Sequence, residues 1–250
     1  MHQKILILFT LIFTSLSAQV DYEILAQDFL YAVRVADDYQ ELEKQLAAVE
    51  VDVLVASLNS ENKKKAFWLN IYNAYIQLKA KENQSMIEES KHSFFTKSWI
   101  VVAGKTLSFD NIEHGFLRHS QWKYGMGYIP YLFTNSYERQ LRVDELDFRI
   151  HFALNCGAKG CPPIAFYSAE KLDSQLDIAT GGFLETNTNY NAETNEVEVS
   201  KILSWFKGDF GGSNGILALL ESQQLIPAGS KAKLLFSEYD WTLSLSNYVD

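Results

Sequence analysis

The sequence predicts an α+β fold: a single domain, mainly helical, with a small antiparallel sheet. Three observations point there. Apolar residues recur at helical spacing over 22–35, 39–49 and 61–81. Short β-branched runs stand between the helical segments, at 98–110, 196–201 and 232–241. Helices and strands interleave without the regular β-α-β alternation of a parallel sheet. No repeat, linker or low-complexity tract divides the 250 residues.

The chain opens MHQKILILFTLIFTSLSAQV. Lys4 precedes an apolar run from Ile5 to Phe13, and small residues follow at Ser15, Ser17 and Ala18. That is the layout of a secretory signal peptide over residues 1–18. The run is short for a membrane span, which needs roughly 20 residues. The expected mature protein is a single domain over 19–250, exported to a periplasmic or extracellular space, with no stable membrane span after cleavage. The formal net charge of −9 and the lack of a basic patch exclude nucleic acid as the expected partner. A small molecule or peptide is the expected ligand. Nothing in the sequence calls for a cofactor.

Residues 22–35 and 39–49 read as amphipathic helices. Ser60 is placed to cap a third, from about Glu61 to Lys81. Its centre, FWLNIYNAY, carries no charge, and its apolar residues cover more than half the circumference. Asn70, Asn73 and Gln77 gather in one arc. Such a helix is expected to be central, with Trp68 and Tyr72 among its pocket-facing aromatics and the two asparagines supplying polar groups. A buried amide without partners costs about 1–3 kcal/mol, so Asn70 and Asn73 must be hydrogen-bonded.

SWIVVAGKTLSFD (98–110) reads as a hairpin, NIEHGFLRHS (111–120) as a short helix and 121–137 as an ordered aromatic loop. DFRIHFALNCGAKGCPP (147–163) alternates and predicts a strand running into a Gly-rich turn, with Arg149, His151 and Asn155 on its polar face. Segments 168–188 and 214–225 read as helices, the first capped by Ser168; 196–201 and 232–241 read as strands.

The cysteine turn is the sharpest chemical feature. A thiol nucleophile needs a base and amides for an oxyanion. Cys156 or Cys161 would be the nucleophile, His151 the base, and Gly157 and Gly160 would expose backbone amides. Two cysteines in an exported chain equally suit a disulfide. Glu113 and Arg118 are a buried pair or a substrate clamp, and Arg149 is an ion-pair partner or an anion hook. His114 and His119, five apart, are poorly spaced for joint metal binding, and no metal site is expected. Asp240, in YDWTLS, is placed either to orient a histidine or to cap a turn.

FWLNIYNAY, TLSFDNIEHGFLR, RIHFALNCGAKGCPP, WFKGDFGG and YDWTLS, in that order, resemble the DUF547 family, a domain of unknown function, over residues about 60–245. The resemblance implies no established reaction. The family pattern usually has serine before the second cysteine, where this chain has Gly160. Members expected in the reducing cytosol share a similar turn, which weighs against a purely oxidised staple. A helix bearing amides, a strand bearing a histidine and a Gly/Cys turn also resemble the papain- and transglutaminase-like layout. Two functions follow as expectations: a thiol-dependent hydrolase or acyl transferase acting on an amide or ester, or a non-catalytic binding module with a Cys156–Cys161 disulfide.

Overall fold

A computed structural model describes residues 20–249. The expected signal peptide lies outside the described residues. Helix α1 (Tyr22–Val35) is capped by Asp21, whose side chain accepts from the Glu23 amide. Then come α2 (Gln40–Ala48), α3 (Val51–Ser57) and the long α4 (Glu61–Glu82). Ser60 caps α4 as expected, accepting from the Lys63 amide at 3.2 Å. Because α4 is apolar on nearly every side, it buries Ala66 through Gln77 without interruption. Helix α1 packs along it, with Phe29 against Tyr75 at 5.2 Å between ring centroids. Trp68 stacks on Phe116 at 4.2 Å and donates its indole N–H to the Leu141 carbonyl.

The chain continues through α5 (Gln84–Glu89) and α6 (Lys91–Thr96) to the expected hairpin, β1 (Ile100–Val102) and β2 (Lys105–Leu107). Its antiparallel register sets Ile100 opposite Leu107. The segment Asn111–Leu117 is a π-helix. Residues 121–135 form the expected ordered aromatic loop, which ends in α7 (Ser136–Leu141).

The alternating segment is not a strand. Residues Phe148–Phe152 form a 3-10 helix capped by Asp147. Ile150, His151, Phe152 and Ala153 are all buried there, so the alternation reflects burial on several sides and not two faces of a sheet. Helix α8 (Leu172–Thr186) starts four residues after Ser168, whose carbonyl instead accepts from Lys171 in the preceding turn. A three-stranded sheet follows: β3 (Thr188–Asn191), β4 (Glu196–Val199) and, after α9 (Ile202–Trp205) and α10 (Gly212–Ser222), β5 (Lys233–Phe236). Strands β3 and β4 are antiparallel; β5 joins β4 in parallel, Val197 opposite Leu234. The sheet is therefore mixed, because two helices intervene between β4 and β5 and carry the chain back to the same end.

One apolar cluster surrounds α4; a second lies between α8, α10 and the three-stranded sheet, with Phe152 at its edge. The architecture is α+β. The papain-like layout would put the histidine on a sheet strand, whereas here His151 sits on a 3-10 turn beside α4.

The amide arc of α4 fastens loops to the helix. Asn70 donates to the Tyr167 carbonyl at 2.7 Å and accepts from the Tyr167 amide at 3.0 Å. Asn73 treats Ala153 and Asn155 the same way, at 3.0 and 2.9 Å. Gln77 accepts from the Ser246 amide. Each asparagine acts as a short piece of β-ladder, satisfying loop peptides that have no strand neighbour. Asn73→Ala is expected to orphan one buried carbonyl and one buried amide, costing about 1–3 kcal/mol for each. Urea unfolding checks this, and a loss below about 0.5 kcal/mol would mean that water replaces the side chain.

Candidate functional site

A cavity of about 810 Å³ opens where α4, α6, the π-helix, the 123–126 loop, the 151–156 segment, α9 and the C-terminal 239–241 segment meet. Its walls are mostly apolar, with Phe95, Leu154, Ile202, Trp205 and Trp241 among them; Asp110, Glu113 and His114 gather at the π-helix, and α6 adds Lys91 and His92.

The π-helix explains that gathering. The Arg118 amide donates to the Glu113 carbonyl, an i→i+5 bond at 2.8 Å. Asp110, His114 and Arg118, spaced four apart, lie along one side of this segment, His114 between the other two. Arg118, completely buried, makes a two-pronged pair with Asp209, Nε to Oδ2 at 2.7 Å and Nη2 to Oδ1 at 3.0 Å. Its remaining Nη1 lies 2.9 Å from His114 Nδ1. Guanidinium has only donors, so Nδ1 must accept and the ring proton of a neutral His114 must sit on Nε2. Burial, then the Arg118 and Lys123 charges, push the His114 pKa well down, so the ring is neutral at pH 7.

The other oxygen contact on Asp209 comes from His151, Nε2 to Oδ2 at 2.7 Å. Burial raises the Asp209 pKa, but hydrogen bonds from His151 and Arg118 outweigh it, and the carboxyl stays ionised. Asp209 therefore accepts from His151 Nε2–H. Burial lowers the His151 pKa despite that partner, which leaves a neutral ring with its lone pair on Nδ1. Phe206 stacks on His151 at 3.9 Å and also lies under the Arg118 guanidinium at 4.7 Å, so one ring holds both in place.

Glu113 faces the cavity beside His114. Burial pushes its carboxyl up, Arg118 offsets part of that, and Asp110 adds to it; the pKa is raised to about 7. Asp110 itself is held by Lys123 at 2.6 Å.

Cys156 and Cys161 are joined as a disulfide. In this form neither sulfur is a thiolate, so the nucleophile expected at Cys156 or Cys161 requires reduction. The bridge adds about 2 kcal/mol by loop-closure entropy. Cys156 lines the cavity, and the Tyr239 hydroxyl lies within 3.2 Å of both sulfurs. Gly157, at φ +81°, turns the chain in the left-handed region. Gly160 has a different cause: a Cβ there would stand 3.1 Å from the Tyr239 ring. Asn155 spans the turn, donating to the Pro162 carbonyl and accepting from Gly157.

Of the residues singled out in the sequence, His151, Cys156, Glu113 and Tyr72 line the cavity. Arg118 stands behind it. Cys161 is in the wall behind Cys156. Asn70, Asn73 and Trp68 are spent on the backbone and core contacts described above. Arg149 lies apart, bonded to Asp147, Asp173 and Asp177, and is an ion-pair residue rather than an anion hook. Asp240 caps a turn by accepting from the Thr242 amide, and the acid that orients a histidine is Asp209. Asp209 is hidden in WFKGDFGG because its role depends on a partner 58 residues away. One signal is present: Gly208 in that run comes so close to Gly127 that a Cβ would sit 2.5 Å from its carbonyl carbon, and such crowding of glycines marks a tight crossing of two loops. The spacing of His114 suggests only a poor metal ligand, and its place beside Glu113 and Arg118 gives it another use. Among the described residues, no group of three or more His, Cys, Asp or Glu is placed to hold a metal ion.

A family model described as "Protein of unknown function, DUF547" matches residues 55–184. That span holds Tyr72, Glu113, His114, Arg118, His151 and the cysteine turn; Asp209 and Tyr239 lie beyond it. No curated protein and no solved structure gives a match.

Proposed function

The chain belongs to the DUF547 family, whose description names no reaction, and from that premise we propose that its cavity hydrolyses a small ester or amide by acid–base activation of water. The observation that carries this reading is the pairing of Glu113, facing the cavity, with a neutral His114 whose tautomer Arg118 dictates. A carboxyl near pKa 7 both takes and returns a proton at neutral pH. A neutral imidazole with its proton on Nε2 is a hydrogen-bond donor that can polarise a carbonyl.

In the proposed reaction the Glu113 carboxylate removes a proton from water while the water oxygen bonds to the carbonyl carbon. The carbonyl oxygen becomes an oxyanion and accepts from His114 Nε2–H. As the tetrahedral centre collapses, the bond to the alcohol or amine breaks, and the leaving group takes the proton back from Glu113. His151, fixed by Asp209, presents the Nδ1 lone pair as a second acceptor at the same wall. The leader-like N-terminus and the disulfide both support an oxidising compartment outside the cytoplasm.

The test is turnover of p-nitrophenyl acetate against pH, with and without dithiothreitol and iodoacetamide. The expected rate rises with pH through a midpoint of about 7, as Glu113 loses its proton, and ignores both thiol reagents. A second reading, a thiol hydrolase, is favoured by the position of Cys156 in the cavity wall. It predicts a rate that appears only after reduction and vanishes on alkylation. A ligand that raises Tm with no product formed would make the cavity a binding module instead.

A further inference from the structure

Resting on the hydrolytic reading above, we propose that the substrate is an acyl amphiphile: an ester or amide carrying a long apolar chain, with the carbonyl at Glu113 and His114 and the chain along the aromatic wall.

The first observation is how the chemistry divides the cavity. Glu113, His114 and His151 stand around the buried Arg118–Asp209 pair, while Phe95, Ile202, Trp205 and Trp241 make much of the remaining wall apolar, with Lys91, His92 and Ser204 as polar groups among them. A volume of about 810 Å³ has room for far more than an acetyl group.

The second observation is the charge at the rim. Lys123 is spent on Asp110 at 2.6 Å, and Lys91 lies over the Trp241 ring at 5.0 Å. Arg118, behind the wall, is completely buried and fully engaged with Asp209 and His114. Among the described residues that line the cavity, no converging set of cations remains to recognise a phosphate or a dicarboxylate.

The third observation lies outside the cavity. Tyr124 and Met126 belong both to its rim and to the exposed aromatic loop. That loop goes on through Tyr128 and Ile129 to Leu132 and Phe133, which are 79% and 85% exposed. Single exposed apolar residues are ordinary, but several on one loop whose Tyr124 and Met126 reach the cavity offer apolar surface beside its mouth.

The experiment compares p-nitrophenyl acetate, butyrate and octanoate, each below its micellar concentration, and in parallel follows quenching of tryptophan fluorescence and Tm with 2-butanone and 2-decanone, which present a carbonyl but cannot be hydrolysed. The expected result is a kcat/KM that rises about fourfold for each buried methylene, carried chiefly by KM, with 2-decanone alone raising Tm. Turnover of acetate with a flat or falling chain-length profile would overturn the amphiphile and leave the hydrolytic reading standing. Binding of 2-decanone over 2-butanone with no ester turned over would support the apolar ligand and overturn the hydrolysis. Neither turnover nor binding would remove both.

Discussion

Arg118→Ala is expected to lower stability by about 3–5 kcal/mol. The side chains of Arg118 and Asp209 are both buried, with exposure of 0%/0%. Removing the guanidinium leaves the Asp209 carboxylate in the interior with only a neutral His151 beside it. It also removes the donor on His114 Nδ1 and opens space above Phe206. Against a total of about 5–15 kcal/mol for a typical domain, the loss is large. Urea unfolding measures it as a lowered midpoint at unchanged slope. The double variant Arg118→Met, Asp209→Asn removes the stranded charge and should lose less than the two single changes added together. A loss below about 1 kcal/mol for Arg118→Ala would show that water reaches the pair. The pair also predicts acid sensitivity. Asp209 has a lowered pKa in the fold, so its stabilisation is present above the ordinary carboxylate pKa and is lost as pH falls through the lowered value.

If the proposed hydrolysis holds, Glu113→Gln is expected to cut its rate by about 10²–10⁴-fold. It should also make the protein more stable at alkaline pH. The sign follows from the shift. The folded pKa is raised from 4.5 to about 7, so between those values the folded protein holds a proton that the unfolded chain has released. Stability therefore falls as pH rises from about 4.5 to 7, and above that the deficit is on the order of 3 kcal/mol. Glutamine carries no such deficit. The variant and the parent should match near pH 4 and separate by pH 8, with the variant ahead. Parallel stability curves for the two proteins would mean that Glu113 titrates as an ordinary surface acid, and the acid–base role would go with it. A gain in stability together with a loss of activity is the mark of a residue kept for function at a cost to the fold, so this pair of readouts separates a functional carboxyl from a structural one.

Some of the site is legible in the amino-acid sequence. Glu113 and Arg118 stand out as an acid and a base on one short helix, and His151 as a histidine beside a Gly/Cys turn. Both kinds of signal are local. The π-helix is not legible, because an i→i+5 turn and an α-turn draw on the same residue types. Asp110, His114 and Arg118, four apart, share a side on either kind of helix, but the burial of Arg118 against Asp209 comes only with folding, and until then His114 reads as one of two badly spaced metal ligands. The alternation of 147–155 misleads for a related reason. An alternating sequence marks two faces only when one face is exposed; here α4 and the second core enclose the segment, and residues 150–155 are all buried.

Local patterns dictate the helices whose apolar spacing exceeds three turns, the tight hairpin at Ala103-Gly104 and the need for partners on Asn70 and Asn73. These depend on intrinsic backbone preference and on the high cost of an unsatisfied buried amide, both carried within a few residues. Which groups those amides bond is settled only when the chain has folded. So is the return of β5 parallel to β4. Folding also selects Asp209 over Asp240 as the partner of His151, and it closes Cys156 and Cys161 into a disulfide at the cavity wall. Each of these depends on groups brought together from distant parts of the chain, or on the course of a turn held by such groups. Their pKa values and pairings arise from the burial that folding creates, which no local pattern encodes.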